Sequence, residues 1–296
     1  MTTLRGQRPL AVLLTAIGAA LVATVVLAAS VPSGGALGAA SDPASAGTGR
    51  QPAAGSDPPA RITAVAAENQ YGNVIAQVGG RYVSVSSLLT NPNTDPHTFE
   101  ASPQVAREVA SARLLIQNGL GYDSFMDSIE SASPGQDRDV INVQRLLHLP
   151  DSTPNPHLWY DPGTMPKVAD AIAVDLAAID PAHAAYYRAN AAAFTRSLGG
   201  WYSALAALKL GDPGTPVATT EPVALAGRKV RAFVYNVQVT DPLTQSLIAL
   251  AKASGVPVVG VYETMPQPGF SYQSWMLAEA AALKSAITTR TSTEHL

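Results

Sequence analysis

Cysteine is absent from this chain of 296 residues. Its absence excludes disulfide bonds, thiolate metal sites and the attachment of a lipid to an N-terminal cysteine. The fold must therefore be held together by its core alone. Any strong metal ligand in the chain has to be a histidine, an aspartate or a glutamate.

Charged side chains are also scarce. They make up 14% of the sequence, and the formal net charge is −3. No basic stripe indicates nucleic-acid binding, and no polyacidic tail indicates a solvating segment. Apolar residues make up 47% of the chain, which is enough for a large core in one domain or two lobes. The composition favours a small molecule or an ion as the partner.

The N-terminal residues 1–40 predict an export signal or a membrane anchor. Arg5 and Arg8 precede the uncharged run Leu10–Ala29, and a small-residue stretch follows at 36–40. The run approaches the roughly 20 residues that span a bilayer, so cleavage and anchoring both remain open. Residues 41–60 are rich in Pro, Ala, Gly, Ser and Asp and predict a flexible linker. We expect the folded part at the cell surface or in the periplasm.

From residue 61 onward, short apolar segments alternate with helical patterns. The predicted strands are 62–66, 82–89, 114–116, 139–143, 215–219, 230–235 and 256–261. The alternation predicts an α/β fold with mainly parallel sheets flanked by helices, whose ligand-binding loops gather at the carboxyl ends of the strands. A long helical pattern at 181–208, with Gly199-Gly200 as a soft point, is suited to link an N-terminal lobe (61–180) to a C-terminal lobe (209–290).

Four pairs of a capping residue and a proline predict helix starts, because serine and aspartate are good N-caps and proline suits the first helical position. The pairs are Ser102-Pro103, Asp161-Pro162, Asp180-Pro181 and Asp241-Pro242.

Four candidate metal ligands each follow an extended or apolar segment and sit beside a turn or a proline. They are His97, His157, Glu221 and Glu263. Two imidazoles and two carboxylates suit Zn²⁺ or Mn²⁺, whereas an oxygen-only site suits Ca²⁺ or Mg²⁺. Their long separations match no local metal motif. His295 is not a candidate, because it lies in a terminal tail that is expected to fray.

Several short motifs occur in a fixed order along residues 61–288. They are Asn93–Glu100 (NTDPHTFE), Asn118–Gly121 (NGLG), Asn155–Pro162 (NPHLWYDP), Thr219–Pro222 (TTEP) and Glu263–Pro266 (ETMP). Together they resemble the zinc and manganese class of ABC-transporter solute-binding proteins.

The resemblance implies two α/β lobes joined by a long helix, with one metal ion clamped between them. His97 and His157 would be the ligands of the first lobe, and Glu221 and Glu263 those of the second. It also implies extracytoplasmic capture of Zn²⁺ or Mn²⁺ and delivery to a membrane permease. Four protein ligands leave no open position for an activated water, so an enzyme is not expected. Glu221 is followed almost at once by Gly227, where the family has a further helix and strand, so we expect a shortened second lobe.

Two other functions remain open from the sequence. A secreted metal-dependent hydrolase would use the same residues with one coordination position left to water. It lacks support from a nucleophile elbow or a His-Glu-x-x-His motif. A metal-silent surface adhesion protein is suggested by the apparent gap after Glu221.

Overall fold

Two parallel β-sheets form the framework of the chain. The computed structural model describes residues 61–91, 99, 102–132, 137–211, 214–219, 230–239 and 241–296. The strands are β1 (Ile62–Glu68), β2 (Val83–Leu89), β3 (Leu114–Gln117), β4 (Asp139–Asn142), β5 (Val217–Thr219), β6 (Ala232–Asn236) and β7 (Val258–Val261). The predicted export segment and linker, residues 1–60, lie outside the described part. Within that part, no helix has the length and apolar character needed to cross a membrane.

Nine helices cover these sheets within the described residues. They are α1 (Asn69–Gly79), α2 (Pro103–Ser111), α3 (Phe125–Ala132), α4 (Val143–Leu146), α5 (Thr164–Ile179), α6 (Ala184–Ser197), α7 (Gly199–Gly211), α8 (Pro242–Ala253) and α9 (Tyr272–Thr289). The predicted alternation of strands and helices, and the α/β class that it implies, are confirmed.

The first sheet has the order β2-β1-β3-β4, and every pair in it is parallel. Its central strand β1 is apolar on both faces, as a parallel strand with helices on each side must be. Ala64 and Ala66 face a core built with α1 and α5, whereas Val65 and Ala67 face α2 and α3. Parallel pairing brings the carboxyl ends of β1, β3 and β4 to one edge.

The second sheet has the order β5-β6-β7, again all parallel. One face packs on α8 through Phe233 and Ile248, and the other packs on α9 through Val234 and Ala286. Helix α8 is the crossover between β6 and β7, while residues 220–231 join β5 to β6. With three strands in the described residues against four in the first sheet, the second lobe is the smaller one, as expected.

The C-terminal tail pairs with the outer edge of β7. Thr293 forms a parallel bridge with Val259, donating its N–H to the Val258 carbonyl (2.9 Å) and accepting from the Gly260 N–H (2.8 Å). The expectation of a frayed tail was therefore wrong. An unpaired strand edge leaves backbone groups without partners, and the tail satisfies those of β7.

The predicted single helix at 181–208 is divided in the structure. A short 3-10 turn at Pro181–His183 leads into α6, which ends before Leu198, and α7 begins at Gly199. The Leu198 N–H reaches the Thr195 carbonyl, three residues back, instead of the usual fourth residue. Two consecutive glycines follow the break, and glycine is a poor helix former, so the interruption falls at the predicted soft point.

Two of the four predicted helix starts are confirmed. Ser102 caps α2 by accepting from the Val105 N–H, and Asp241 caps α8. Asp161 instead forms a tight turn to the Gly163 N–H (2.7 Å), so α5 begins at Thr164. Asp180 makes no cap, and its carboxylate accepts from the His183 ring of the following turn and from the Tyr187 hydroxyl in α6.

A buried carboxyl group, that of Glu279 in α9, joins the two lobes. Its Oε1 accepts from the Tyr262 N–H (3.0 Å) and the Trp275 indole (2.8 Å), and it lies 3.3 Å from the Tyr160 hydroxyl oxygen. Burial raises the pKa of Glu279 to about 8, although these hydrogen bonds oppose the shift. Glu279 is therefore mostly neutral at neutral pH.

Replacing Gly260 tests the docking of the tail. A Cβ at this position would overlap the Glu294 carbonyl and the Val237 side chain, so Gly260→Ala must displace the tail. We expect a loss of about 1–3 kcal/mol in the free energy of unfolding, measured by urea denaturation. Gly200→Ala is the control. Its added Cβ meets only an ordinary contact 3.7 Å away, within a helix, so it should gain about 0.5–1 kcal/mol. Equal stabilities of the two variants would contradict the docking.

The raised pKa of Glu279 predicts a pH dependence of stability. In the unfolded chain the carboxyl ionises near its model value of 4.5, whereas in the folded chain it holds its proton to about pH 8. Its contribution to stability is thus fully present below pH 4.5 and is lost as the pH rises to 8. We expect Glu279→Gln to match the parent at pH 4.5 and to exceed it at pH 8 in urea unfolding. The same difference at both pH values would contradict a neutral Glu279.

Candidate metal site

His157 lies in the loop between α4 and a 3-10 turn at Leu158–Tyr160. The Asn155 side chain fixes the orientation of its ring. Asn155 Oδ1 lies 3.0 Å from the His157 backbone N–H and 2.7 Å from the ring Nδ1. Because a backbone N–H can only donate, this Asn155 atom is the carbonyl oxygen, and Nδ1 must carry the proton. A neutral His157 therefore has its free lone pair on Nε2, which is the tautomer that a metal ligand requires.

The free nitrogen of His157 faces Glu263, which follows β7 in the second lobe. His157 Nε2 lies 3.2 Å from Glu263 Oε1, and the two side chains are 27% and 20% exposed. Nε2 is buried and has no hydrogen-bond partner within the described residues. With a neutral imidazole, the Nε2 lone pair faces a carboxylate oxygen, and a bound cation makes this arrangement favourable.

Glu263 is held by groups that surround its carboxylate and its backbone. The Asn236 amide donates to Oε1 at 2.6 Å, and the Tyr122 hydroxyl donates to Oε2 at 3.3 Å. The Gln238 carbonyl oxygen accepts from the N–H groups of Glu263 (2.6 Å) and Thr264 (2.9 Å). These contacts fix the carboxylate, because both its oxygens and its backbone are restrained.

Hydrogen bonds between the lobes place Glu263 against the first lobe. The Asn69 side chain at the start of α1 forms two hydrogen bonds with the Met265 backbone. It donates to the carbonyl (2.8 Å) and accepts from the N–H (3.1 Å). The Tyr160 hydroxyl donates to the Tyr262 carbonyl at 2.5 Å. Met265 and Tyr262 both lie within two residues of Glu263. These hydrogen bonds therefore fix the distance between Glu263 and His157.

The His157 loop is tied to the carboxyl end of β3 by Asn118. The Asn118 amide donates to the Pro156 carbonyl at 2.8 Å, and its carbonyl oxygen accepts from the Tyr71 hydroxyl at 2.6 Å. Pro156 immediately precedes His157, so this bond fixes the backbone from which the imidazole projects.

Aromatic rings enclose the His157 imidazole. The rings of Tyr122 and Trp159 lie edge-on to it, at 5.7 and 5.4 Å between centroids. Burial, and then the negative charge of Glu263, raise the pKa of the Tyr122 hydroxyl. Tyr122 therefore keeps its proton and remains a donor to the Glu263 carboxylate. The rings shield part of the imidazole from solvent, and electrostatic interactions are stronger where solvent is partly excluded.

Of the four candidate ligands, the structure brings His157 and Glu263 together. His97 and Glu221 lie outside the described residues. Within residues the structure does describe, no group of three histidine or acidic side chains could hold a metal ion. Sequence reasoning missed the role of Asn155. Its position two residues before His157, in an Asn-Pro-His turn, is the signal that could have indicated it.

Replacing Asn155 tests the tautomer of His157. In Asn155→Ala the ring loses the acceptor for Nδ1–H, so the proton can move to Nε2. We expect ¹⁵N NMR of the metal-free protein to show one His157 tautomer, with Nδ1–H, in the parent and a mixture in the variant. Ser152→Ala, an exposed change in the same loop, is the control and should keep the parent spectrum. A parent protein with its proton on Nε2 would contradict the geometry.

Proteins of known structure share this architecture. The Mn-bound periplasmic metal-binding protein from Candidatus Liberibacter asiaticus has a TM-score of 0.64 and 15% identity, covering 77% of this chain and 100% of that chain. The periplasmic zinc-binding protein TroA from Treponema pallidum has a TM-score of 0.60 and 14% identity, covering 78% of this chain and 99% of that chain. At these identities the likeness establishes the fold.

Sequence comparisons establish the family. The manganese-binding lipoprotein MntA of Bacillus subtilis is 24% identical over 151 residues, which cover 49% of each protein. The chain thus spans about half the length of this curated relative. The family model described as "Zinc-uptake complex component A periplasmic" (ZnuA) matches residues 64–225, more than half of the 296 residues. The chain belongs to the ZnuA family of periplasmic zinc-uptake components.

Proposed function

We propose that this protein binds Zn²⁺ or Mn²⁺ outside the cytoplasm and delivers the ion to the membrane permease of an ABC transporter. The observation that carries the proposal is the pair formed by His157 Nε2 and Glu263 Oε1, 3.2 Å apart and drawn from different lobes. An imidazole with its lone pair free and a restrained carboxylate are ligands that suit these ions.

The proposed ligand set is completed by His97 and Glu221, which the family motifs assign. His157 and Glu263 supply one nitrogen and one oxygen, and His97 and Glu221 would supply a second of each. Four protein ligands would close the coordination shell, so the ion is cargo and no chemistry is performed on it. This distinguishes the proposal from the hydrolase alternative, and membership of a metal-uptake family favours it over a metal-silent adhesion protein.

The choice between Zn²⁺ and Mn²⁺ depends on the intrinsic affinity of the ligands and on which metal is available. A mixed nitrogen and oxygen site binds Zn²⁺ more tightly than Mn²⁺ on intrinsic affinity. The matching family is described by zinc uptake, whereas the name of the Bacillus subtilis relative specifies manganese. We propose tighter binding of Zn²⁺ in vitro, with the cargo in cells set by which metal is available.

Isothermal titration with Zn²⁺ and with Mn²⁺ tests the site. We expect His157→Ala and Glu263→Ala each to weaken binding at least about 100-fold, because each removes a ligand and leaves the other uncompensated. His183→Ala is the control. Its ring is engaged with Asp180 (2.6 Å) and stacks on Tyr82, so its affinity should stay within twofold of the parent. Unchanged affinity in both ligand variants would reject the proposed function.

The two assigned ligands are tested separately. His97→Ala and Glu221→Ala should each weaken Zn²⁺ binding to a similar degree if four ligands close the shell. A normal affinity in Glu221→Ala, with losses in the other three variants, would remove Glu221 from the ligand set. It would leave a coordination position for water.

A further inference from the structure

A pair of buried carboxyl groups lies behind the His157 loop. Glu68 is the last residue of β1, and Asp123 lies two residues before α3. They are 2% and 3% exposed. Burying two acids side by side is costly unless hydrogen bonds and a retained proton compensate for it, so the pair requires an explanation.

Asp123 binds the backbone of the loop that follows β3. Its Oδ2 accepts from the Asn118 N–H (2.5 Å), and its Oδ1 accepts from the Gly119 N–H (2.9 Å). Gly119 has a φ of 82°, a conformation that the two bonds help to hold. Hydrogen bonds from N–H groups to a carboxylate are about twice as strong as neutral ones.

Glu68 acts as a neutral partner of Asp123. Within the described residues, neither of its carboxyl oxygens receives a hydrogen bond. Burial, and then the negative charge of Asp123, raise the pKa of Glu68 well above its usual range. Burial also raises the pKa of Asp123, to about 6, where the loop N–H groups and Glu68 oppose the shift. Of the two acids, Asp123 is thus the one that favours the anion, and Glu68 the one that favours the neutral form.

The loop fixed by Asp123 in turn fixes His157. Asp123 holds the Asn118 backbone, and the Asn118 side chain holds the Pro156 carbonyl at 2.8 Å. The Asn118 carbonyl oxygen accepts from the Tyr71 hydroxyl. The other end of the amide, its nitrogen, is therefore the group that donates to the Pro156 carbonyl. A continuous series of hydrogen bonds therefore runs from the buried acids to the residue before His157.

We propose that Asp123 is a positioning residue for the metal ligand His157, acting through Asn118 and Pro156. This inference rests on the proposed function, because it takes His157 as a ligand. Groups that orient metal ligands without touching the ion typically account for about 10–100-fold in affinity. A pair that only stabilised the fold would alter the free energy of unfolding and leave the imidazole unchanged.

The test compares two isosteric substitutions by Zn²⁺ titration. In Asp123→Asn only one side-chain atom can still accept, so one loop N–H faces an amide N–H₂ group. We expect affinity to fall at least about 10-fold. Glu68→Gln keeps a neutral side chain of the same size and leaves the bonds from Asp123 to the loop in place, so affinity should stay within twofold of the parent. Asp170→Asn, an exposed change in α5, is the control. If Asp123→Asn does not fold, Asn118→Asp, which removes the donor to Pro156, takes its place with the same expected loss.

A second readout separates this inference from the function itself. ¹⁵N NMR of the metal-free proteins should show the single Nδ1–H tautomer of His157 in the parent and in Glu68→Gln, and a mixture in Asp123→Asn. If the parent binds no Zn²⁺ while Asp123→Asn still shifts the tautomer, the function fails and the positioning role stands. Parent affinity and parent tautomer in Asp123→Asn would overturn the positioning role, and a loss in Glu68→Gln equal to that in Asp123→Asn would overturn its assignment to the hydrogen bonds of Asp123.

Discussion

The hydrogen bonds from His157 to Asn155 are the constraint on which the site depends. One carbonyl oxygen accepts from both the backbone N–H and the ring Nδ1 of His157. The proton is thereby assigned to Nδ1, and Nε2 is left as a lone pair directed at the Glu263 carboxylate. Without that assignment Nε2 could carry the proton and donate an ordinary hydrogen bond to the carboxylate. The tautomer leaves an imidazole nitrogen that can bind a cation beside a carboxylate of the other lobe.

The packing between the lobes holds this pair together. Asn69 forms two hydrogen bonds with the Met265 backbone. The side-chain carbonyl oxygen of Asn73 accepts from the Tyr272 N–H at 3.0 Å, and the side-chain amides of Gln77 and Gln273 donate to each other. All of these contacts join α1 to the segment that runs from β7 into α9. A binding site with fixed ligands loses little conformational freedom when the ion enters, which favours affinity.

Much of the fold could be predicted from the sequence, because buried parallel strands and amphipathic helices leave strong periodic signals. Features that depend on distant contacts could not. The pairing of Thr293 with β7 has no local signature, and the frayed tail was the natural expectation. Asp161 and Asp180 matched the pattern for helix caps, but each carboxylate binds a group two or three residues further along the chain instead of capping the predicted helix. The break at Leu198 was indicated by its glycines, although the pattern alone suggested a bend within one helix.

The candidate site, like the fold, could be predicted only in part from the sequence. His157 and Glu263 could be proposed from motifs, because ligands in α/β folds follow the carboxyl ends of strands. Their mutual distance required the three-dimensional structure, since the two residues lie in different lobes. The supporting groups, above all Asp123 and Glu68, carry no motif of their own. A buried acid at the end of a strand resembles any solvated acid until its environment is known.

The most direct test of the central claim is a crystal structure of the protein with Zn²⁺, in which anomalous scattering locates the ion. The account predicts one ion within about 2.0–2.2 Å of both His157 Nε2 and a Glu263 carboxylate oxygen. An ion bound through His157 Nδ1, or at a position that excludes either of these two side chains, would contradict it.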